Sequence, residues 1–409
     1  MNYASAILAL KSSENKGGEP DFGAIDVIID RARKKGLTVH EIADLAAVYA
    51  SSGENISFYK YSGSIADIAS TGGPSSLSTL LCPLYLTWLG AKVSKLGVPG
   101  RPAGGIDVLA QIDGYKTQLS SQEIHTVFKI CGYAHFNAGK FAPLDAAVFK
   151  YRKEIDALNI PDLVIASLIS KKLCVDVNNV GLDVRVARFG NFGATWSEAK
   201  DNSIKFCEVA TFLGKNSKCF LTNGNYPYQP YIGRAEALLA LHNVFYGNIE
   251  ESLLEHDELC FSMAAELLGA PSTPKPSGKD IQKIFEGNIK AQGGSVESFH
   301  QKVDAVSEAH DLDIVSNRAG WLRIDLQMIR EVFVDIQSHA ASGVVDFPDP
   351  CGLILKANAG QFVEKGNLLA TLRCAGNSTY EVHNRLKSAF VLDEKNTPII
   401  NQYETVTNG

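Results

Sequence analysis

The stretch that most restricts the fold runs from Ile65 to Leu89: a short apolar run, a glycine pair at Gly72-Gly73, and a segment rich in leucine at Leu77, Leu80, Leu81 and Leu84. Two glycines permit a sharp backbone reversal, and leucines three and four apart build one face of a helix. Strand, glycine turn and helix in that order predict an α/β layer, with an extended segment from Ile65 through Asp67, a helix from about Ser75 to Leu89 and a short strand at Ala91 to Val93. Backbone N–H groups of such a turn, together with the positive end of the helix, form an anion site. Six hydroxyl residues crowd it: Ser70, Thr71, Ser75, Ser76, Ser78 and Thr79. The competing interpretation is a serine-capped helix after a tight turn, and Pro74 removes one N–H from the cradle.

Helical patterns flank this layer on both sides. From Ala4 to Ser52, Ile25, Ile28, Ile29 and Ala32 share one face, and Ile42, Leu45, Ala46 and Tyr49 another. A second helical patch runs from Pro143 to Leu158 and, after the break at Pro161, from Asp162 to Leu173; alternating Val180, Leu182, Val184 and Val186 then restore a strand. This order predicts an α/β protein in which a small helical domain, residues 1–62 and 143–174, is discontinuous around a larger α/β domain, residues 63–142 and 175–325. The proline-rich stretch from Ala270 to Gly278 is a loop. A C-terminal α+β module follows at residues 326–409, β-rich in texture, with Gly360 to Gly366 separating two apolar strands. That segment echoes the hammerhead of biotin-carrier domains but lacks their methionine-flanked lysine, so its role is structural.

A chain of 409 residues suits two or three domains, and 45% hydrophobic with 21% charged residues is the composition of a globular protein. The net charge of -6 supplies no basic field for nucleic acid or anionic lipid. The eight cysteines are scattered, never as C-x-x-C, and read as reduced, buried small hydrophobes. No secretion signal and no membrane-spanning run is evident, which predicts a cytoplasmic protein. The histidines show no metal-ligand spacing of the helical or finger types, so no metal site is expected.

Two further constellations carry chemistry. The loop from Gly97 to Gly105 holds four glycines, which let a backbone approach a ligand closely, and Arg101 as a cation to meet an anion. Ser167 and Lys171 stand four apart on an otherwise apolar helix and so project from one face, while Arg152 on the preceding helix can turn toward the same point. A hydroxyl and two cations suit a uracil-like ring, which leaves a sugar more easily if its developing charge meets positive groups. The plainer interpretation is a snorkelling lysine and a surface arginine.

Taken in order, Asp67-Ile-Ala-Ser-Thr-Gly-Gly73, Ala103-Gly-Gly-Ile-Asp107, Ile112-Asp-Gly-Tyr115, Ala142-Pro-Leu-Asp145, Arg152, Ala166-Ser-Leu-Ile-Ser-Lys-Lys-Leu173 and Leu182-Asp-Val-Arg-Val186 resemble the thymidine and pyrimidine nucleoside phosphorylases, over nearly the whole chain. The resemblance implies a homodimer whose domains close over a pyrimidine nucleoside and phosphate, with no cofactor and with inorganic phosphate as co-substrate. It implies that Arg152, Ser167 and Lys171 hold the base, Arg152 and Lys171 being the catalytic pair, and that Ser70 and Thr79 bind phosphate. Glu236 resembles a position that helps bind potassium in some members.

The departures cluster in the phosphate site. Ile68 stands where the family has a phosphate-binding lysine and Ala69 where it has a histidine; no hydroxyl remains at 97–99, and Gly105 runs directly into Ile106. An isoleucine cannot neutralise a dianion; Arg101 and Lys95 are the candidate cations to compensate, and His135 is a candidate for the missing histidine, although the plainer reading of a lone histidine is a satisfied structural residue. The expected function is cleavage of the N-glycosidic bond of a pyrimidine nucleoside. The alternatives are cleavage with a non-phosphate acceptor, a catalytically silent pyrimidine-binding homologue, and a phosphoribosyltransferase related to the anthranilate enzyme, for which no acidic cluster beside Gly72-Gly73 offers a magnesium site.

Overall fold

A computed structural model describes residues 1–14, 20–58, 61–341, 347–374, 379–400 and 402–408. The chain begins with helices α1 (Tyr3–Glu14), α2 (Phe22–Lys35) and α3 (Val39–Ser51). The expected faces are the buried ones: Ile25, Ile28, Ile29 and Ala32 on α2, and Ile42, Leu45, Ala46 and Tyr49 on α3. Thr38 starts α3 with a reciprocal cap, its hydroxyl accepting from the Glu41 N–H while the Glu41 carboxylate accepts from Thr38 N–H.

The first α/β segment comprises β1 (Ile65–Ser70), α4 (Ser78–Trp88), β2 (Lys92–Gly97), α5 (Gly105–Leu109), α6 (Ser121–Cys131) and β3 (Tyr133–Asn137). Helices α7 (Pro143–Glu154) and α8 (Pro161–Leu173) follow, and the sheet resumes with β4 (Asn179–Val186), α9 (Trp196–Phe212) and β5 (Asn216–Asn223). Then come β6 (Tyr231–Ile232), α10 (Arg234–Tyr246), α11 (Glu251–Leu267), α12 (Gly278–Ala291) and α13 (Val296–Glu308). The C-terminal part contains β7 (Leu312–Val315), β8 (Gly320–Ile324), α14 (Leu326–Ala340), β9 (Cys351–Leu355), β10 (Phe362–Val363), β11 (Leu368–Cys374), α15 (Thr379–Lys387), β12 (Phe390–Asp393) and β13 (Tyr403–Val406).

The main sheet has the order β13-β5-β4-β1-β2-β3, with β1 to β5 mutually parallel and β13 antiparallel on the β5 edge. The chain therefore runs one way from β1 through β2 to β3 and the other way from β4 to β5. Strands covered on both faces alternate sides residue by residue. Val180, Leu182, Val184 and Val186 of β4 pack into a core shared with α1, α2, α3, α8 and α9, whereas Ala66 and Ile68 of β1 pack with α4, α10, α11 and α12. A third core, in the C-terminal part, is built from α14, α15 and the two small sheets β10-β8-β12 and β6-β9-β11-β7.

Three boundaries differ from the sequence expectation. Helix α4 starts at Ser78, because the Ser76 hydroxyl accepts from Ser78 N–H and His256 accepts from Leu77 N–H, so side chains satisfy the groups a further helical turn would use. Strand β2 extends to Gly97, held by its full pairing with β3. Helix α7 stops at Glu154, since Asp156 adopts a φ of 50° and the Arg152 guanidinium takes up the carbonyls of Ala157 and Leu158. The cysteines of the described residues are free thiols, mostly buried. Among the same residues no helix is long and apolar enough to cross a membrane.

Candidate active site

In an open parallel sheet, ligands bind at the carboxyl ends of the strands where the chain direction reverses. Here that point lies between β1 and β4, and Ser70 at the end of β1 pairs with Asp183 of β4. Beyond it the glycine turn is left exposed at Gly72 and Gly73, with φ of 109° and 128°, which glycine adopts without strain. Ser70 Oγ accepts from Gly72 N–H at 3.2 Å, and Thr71 is locked to β4 in both directions. Thr79, in the first turn of α4, is half-buried.

Behind the turn lies a buried polar cluster that the alternation of β4 makes inevitable. With Leu182 and Val184 on one face, Asp183 and Arg185 must face the other, toward α4 and α11. Asp183 Oδ2 accepts from Ser78 Oγ at 2.6 Å, Arg185 Nε at 3.1 Å and Arg185 Nη2 at 2.5 Å. Burial alone would raise the Asp183 carboxyl, but Arg185 holds it below its usual value. His256 Nε2 accepts from Leu77 N–H at 2.9 Å, so its proton sits on Nδ1; burial and then the neighbouring Arg185 push it down to about 3.

A second buried cluster lies beneath Ile68 and Ala69. Asp67, without exposed surface, meets Lys95 at 2.7 Å and also Lys172 of α8. Burial works against the Asp67 carboxylate, yet the two ammonium groups hold it down at about 2. Lys95 is thus committed to Asp67 and to the Ile68 carbonyl rather than turned toward a ligand. His135 pairs through Nδ1 with Tyr133 Oη at 3.0 Å, and burial together with Lys95 keeps it neutral.

The pair expected on α8 is brought together: Lys171 Nζ donates to Ser167 Oγ at 2.9 Å and to the Ser167 carbonyl at 3.0 Å, and it also pairs with Asp145 of α7. Asp145 is the residue that the sequence pattern contained without assigning it a task; it shares a helix face with Arg152, seven residues on. Arg152 is nearly fully buried and holds the α7–α8 connection through the Ala157 carbonyl at 3.0 Å and the Leu158 carbonyl at 2.9 Å. Arg101 is exposed, with its guanidinium 5.8 Å from the Phe149 ring of α7, so it reaches across to the helical segment. Its loop is fixed by Asp107, which accepts from Gly100 and Arg101 N–H and pairs with Arg234 at 2.9 Å.

Comparison with known proteins bears on this geometry. No family model matches the chain. It is 24% identical over 363 residues to the pyrimidine-nucleoside phosphorylase of Bacillus subtilis (strain 168), covering 85% of this chain and 83% of that protein. It is 29% identical over 272 residues to the thymidine phosphorylase of Mycobacterium tuberculosis (strain ATCC 25618 / H37Rv), covering 64% and 62%. The chain is similar to pyrimidine-nucleoside and thymidine phosphorylases. Anthranilate phosphoribosyltransferase from Thermus thermophilus shares the fold, with a TM-score of 0.53, 15% identity and coverage of 75% of this chain and 96% of that one.

The residues expected to hold a base lie on α7 and α8, and Ile68 and Ala69 lie in β1 just ahead of the glycine turn. Glu236, the position resembling a potassium contact, accepts from Arg373 of β11 at 2.7 and 3.0 Å and lies 3.2 Å from His310. In this structure its carboxylate ties α10 to the C-terminal part.

Proposed function

We propose that the chain is a pyrimidine nucleoside phosphorylase-like glycosyltransferase that cleaves the N-glycosidic bond of a pyrimidine nucleoside, with Arg152, Ser167 and Lys171 holding the base. The observation that carries this reading is the Ser167–Lys171 pair on α8, held by Asp145 of α7, on a helix whose Lys172 is anchored to Asp67 in β1, beside the switch point of the sheet. All three donors of the Lys171 ammonium are engaged, by Asp145, the Ser167 carbonyl and Ser167 Oγ. A base carbonyl reaching Lys171 displaces one of them, and Asp145 keeps the lysine aimed while that happens. As the bond to C1′ breaks, negative charge grows on the ring, and Lys171 and Arg152 stabilise it. Inorganic phosphate is the proposed acceptor. The reading extends to a homodimer in the cytoplasm, whose helical segments, 1–62 and 143–174, form one wall of the cleft.

Release of free base from uridine, thymidine and cytidine, with and without phosphate, tests it. Phosphate-dependent release that falls at least a hundredfold in Lys171→Ala is the expected result; phosphate-independent release makes the chain a hydrolase. A catalytically silent pyrimidine binder is the second reading, favoured by the loss of a lysine and a histidine at Ile68 and Ala69. Saturable nucleoside binding with no release under any acceptor would establish it.

A further inference from the structure

The glycine turn has a cation beneath it that belongs to none of the positions matched to the family's phosphate contacts. Arg185, 4% exposed, is held on every side but one. Nε and Nη2 bind Asp183, Nη2 also meets the hydroxyls of Ser76 and Ser78, and the Tyr228 ring lies 4.6 Å from the guanidinium carbon. Nη1 has no hydrogen-bond partner among the described residues, although it is buried. A buried N–H of an arginine left unpaired costs about as much as a lost charged hydrogen bond, so such a group calls for an explanation. Its position supplies one: a β-carbon built on Gly73 would stand 3.1 Å from Nη1, so the free edge of the guanidinium points at the exposed turn. The Gly73 position lies at the reversal between β1 and β4 and just ahead of α4, where backbone N–H groups and the helix dipole favour an anion.

We propose that Arg185 is the anion-binding cation of this chain: it takes the place of the absent charge at Ile68 from the neighbouring strand on the same face of the sheet, presenting Nη1 to an oxyanion seated on the Gly72-Gly73 turn. Ile68 and Arg185 explain each other in this arrangement. The side chain at 68 points into the apolar core with α4 and α11, and positive charge arrives from β4 instead. Asp183, Ser76 and Ser78 act as positioning groups that fix the guanidinium plane before a ligand comes. The ligand class is a phosphate, either free inorganic phosphate or the phosphate of a sugar 1-phosphate; its role as acceptor rests on the function proposed above, but its binding does not.

The test is titration of the full chain with inorganic phosphate by calorimetry in the absence of any nucleoside, followed by the same titration with ribose 1-phosphate. Wild type is expected to bind saturably, and Arg185→Lys, which keeps the charge but lacks the planar fork, to bind at least tenfold more weakly. Because removing one member of a buried pair can unfold the chain, the paired variant Arg185→Met/Asp183→Asn is measured alongside, with nucleoside binding as the check that it is folded; it is expected to lose phosphate and keep nucleoside. Binding of ribose 1-phosphate alone would assign the site to the sugar phosphate and still support it. Phosphate affinity within twofold of wild type in the folded paired variant, or no binding of either probe to wild type, overturns the proposal. Base release without phosphate would instead defeat the phosphorylase reading and leave this result standing.

Discussion

Asp67 faces two ammonium groups with no exposed surface, and that arrangement makes it the most sensitive single residue near the site. Replacing it by asparagine leaves Lys95 and Lys172 buried together without a counter-charge, which costs about 3–5 kcal/mol by analogy with other broken buried pairs. Urea denaturation of Asp67→Asn should show that loss, and adding Lys172→Met should recover part of it; a single variant within about 1 kcal/mol of wild type would contradict the electrostatic account. His256 gives a pH dependence of definite sign. Its folded value of about 3 lies below the usual one of 6.5, so the unfolded chain takes the proton first. The stabilisation is complete above pH 6.5 and declines as pH falls from there toward 3. His256→Gln, whose carbonyl can still accept from Leu77 N–H, should flatten the denaturation free energy against pH by up to ~1.4 kcal/mol per unit in that window. The histidine was visible in the sequence, but nothing there placed it against the turn.

At the scale of elements, the site depends on helices whose ends are fixed by local chemistry. Helix α3 packs along α8, which carries Ser167, Lys171 and Lys172, and its N-terminus is closed by the Thr38–Glu41 box. Thr38→Ala should destabilise the chain by ~1 kcal/mol in thermal or urea unfolding, with no change in ligand affinity. An equal loss of nucleoside binding would mean that α3 positions the clamp directly. Strand β4 demonstrates how far periodicity reaches. The alternation from Val180 to Val186 announced a strand with one apolar face, and the same alternation put Asp183 and Arg185 on the other. Their partners Ser76, Ser78 and Tyr228 lie just before and in α4 and after β5, far from β4 in the chain, and no local pattern joins them. The start of α4 escaped the sequence pattern for the same reason, since the distant His256 helps decide it, whereas α7 is ended locally by the φ of Asp156.

For the whole molecule, the last described strand is the device that ties the C-terminal part back to the sheet. β13 covers the β5 edge, Trp196 Nε1 donates to Glu404 at 2.7 Å, and Val406 is buried against α9. Removing residues 399–409 should uncover β5 and lower the melting temperature by several degrees, with concentration-dependent aggregation from the open edge; light scattering on heating measures both, and an unchanged monodisperse chain would refute the role given to β13. Sequence alone determined the elements it named around the glycine turn, α7, α8 and β4, the α/β class, the glycine turn and the Ser167–Lys171 pair, because all of these depend on residues within a few positions of one another. Tertiary structure decided that Lys95 belongs to Asp67, that Lys171 is held by Asp145, and that Arg185 rather than Arg101 lies beneath the turn. Those are facts of distance through space: strand order brings β4 beside β1, and charges pair with whichever opposite charge the packing leaves within a few ångströms.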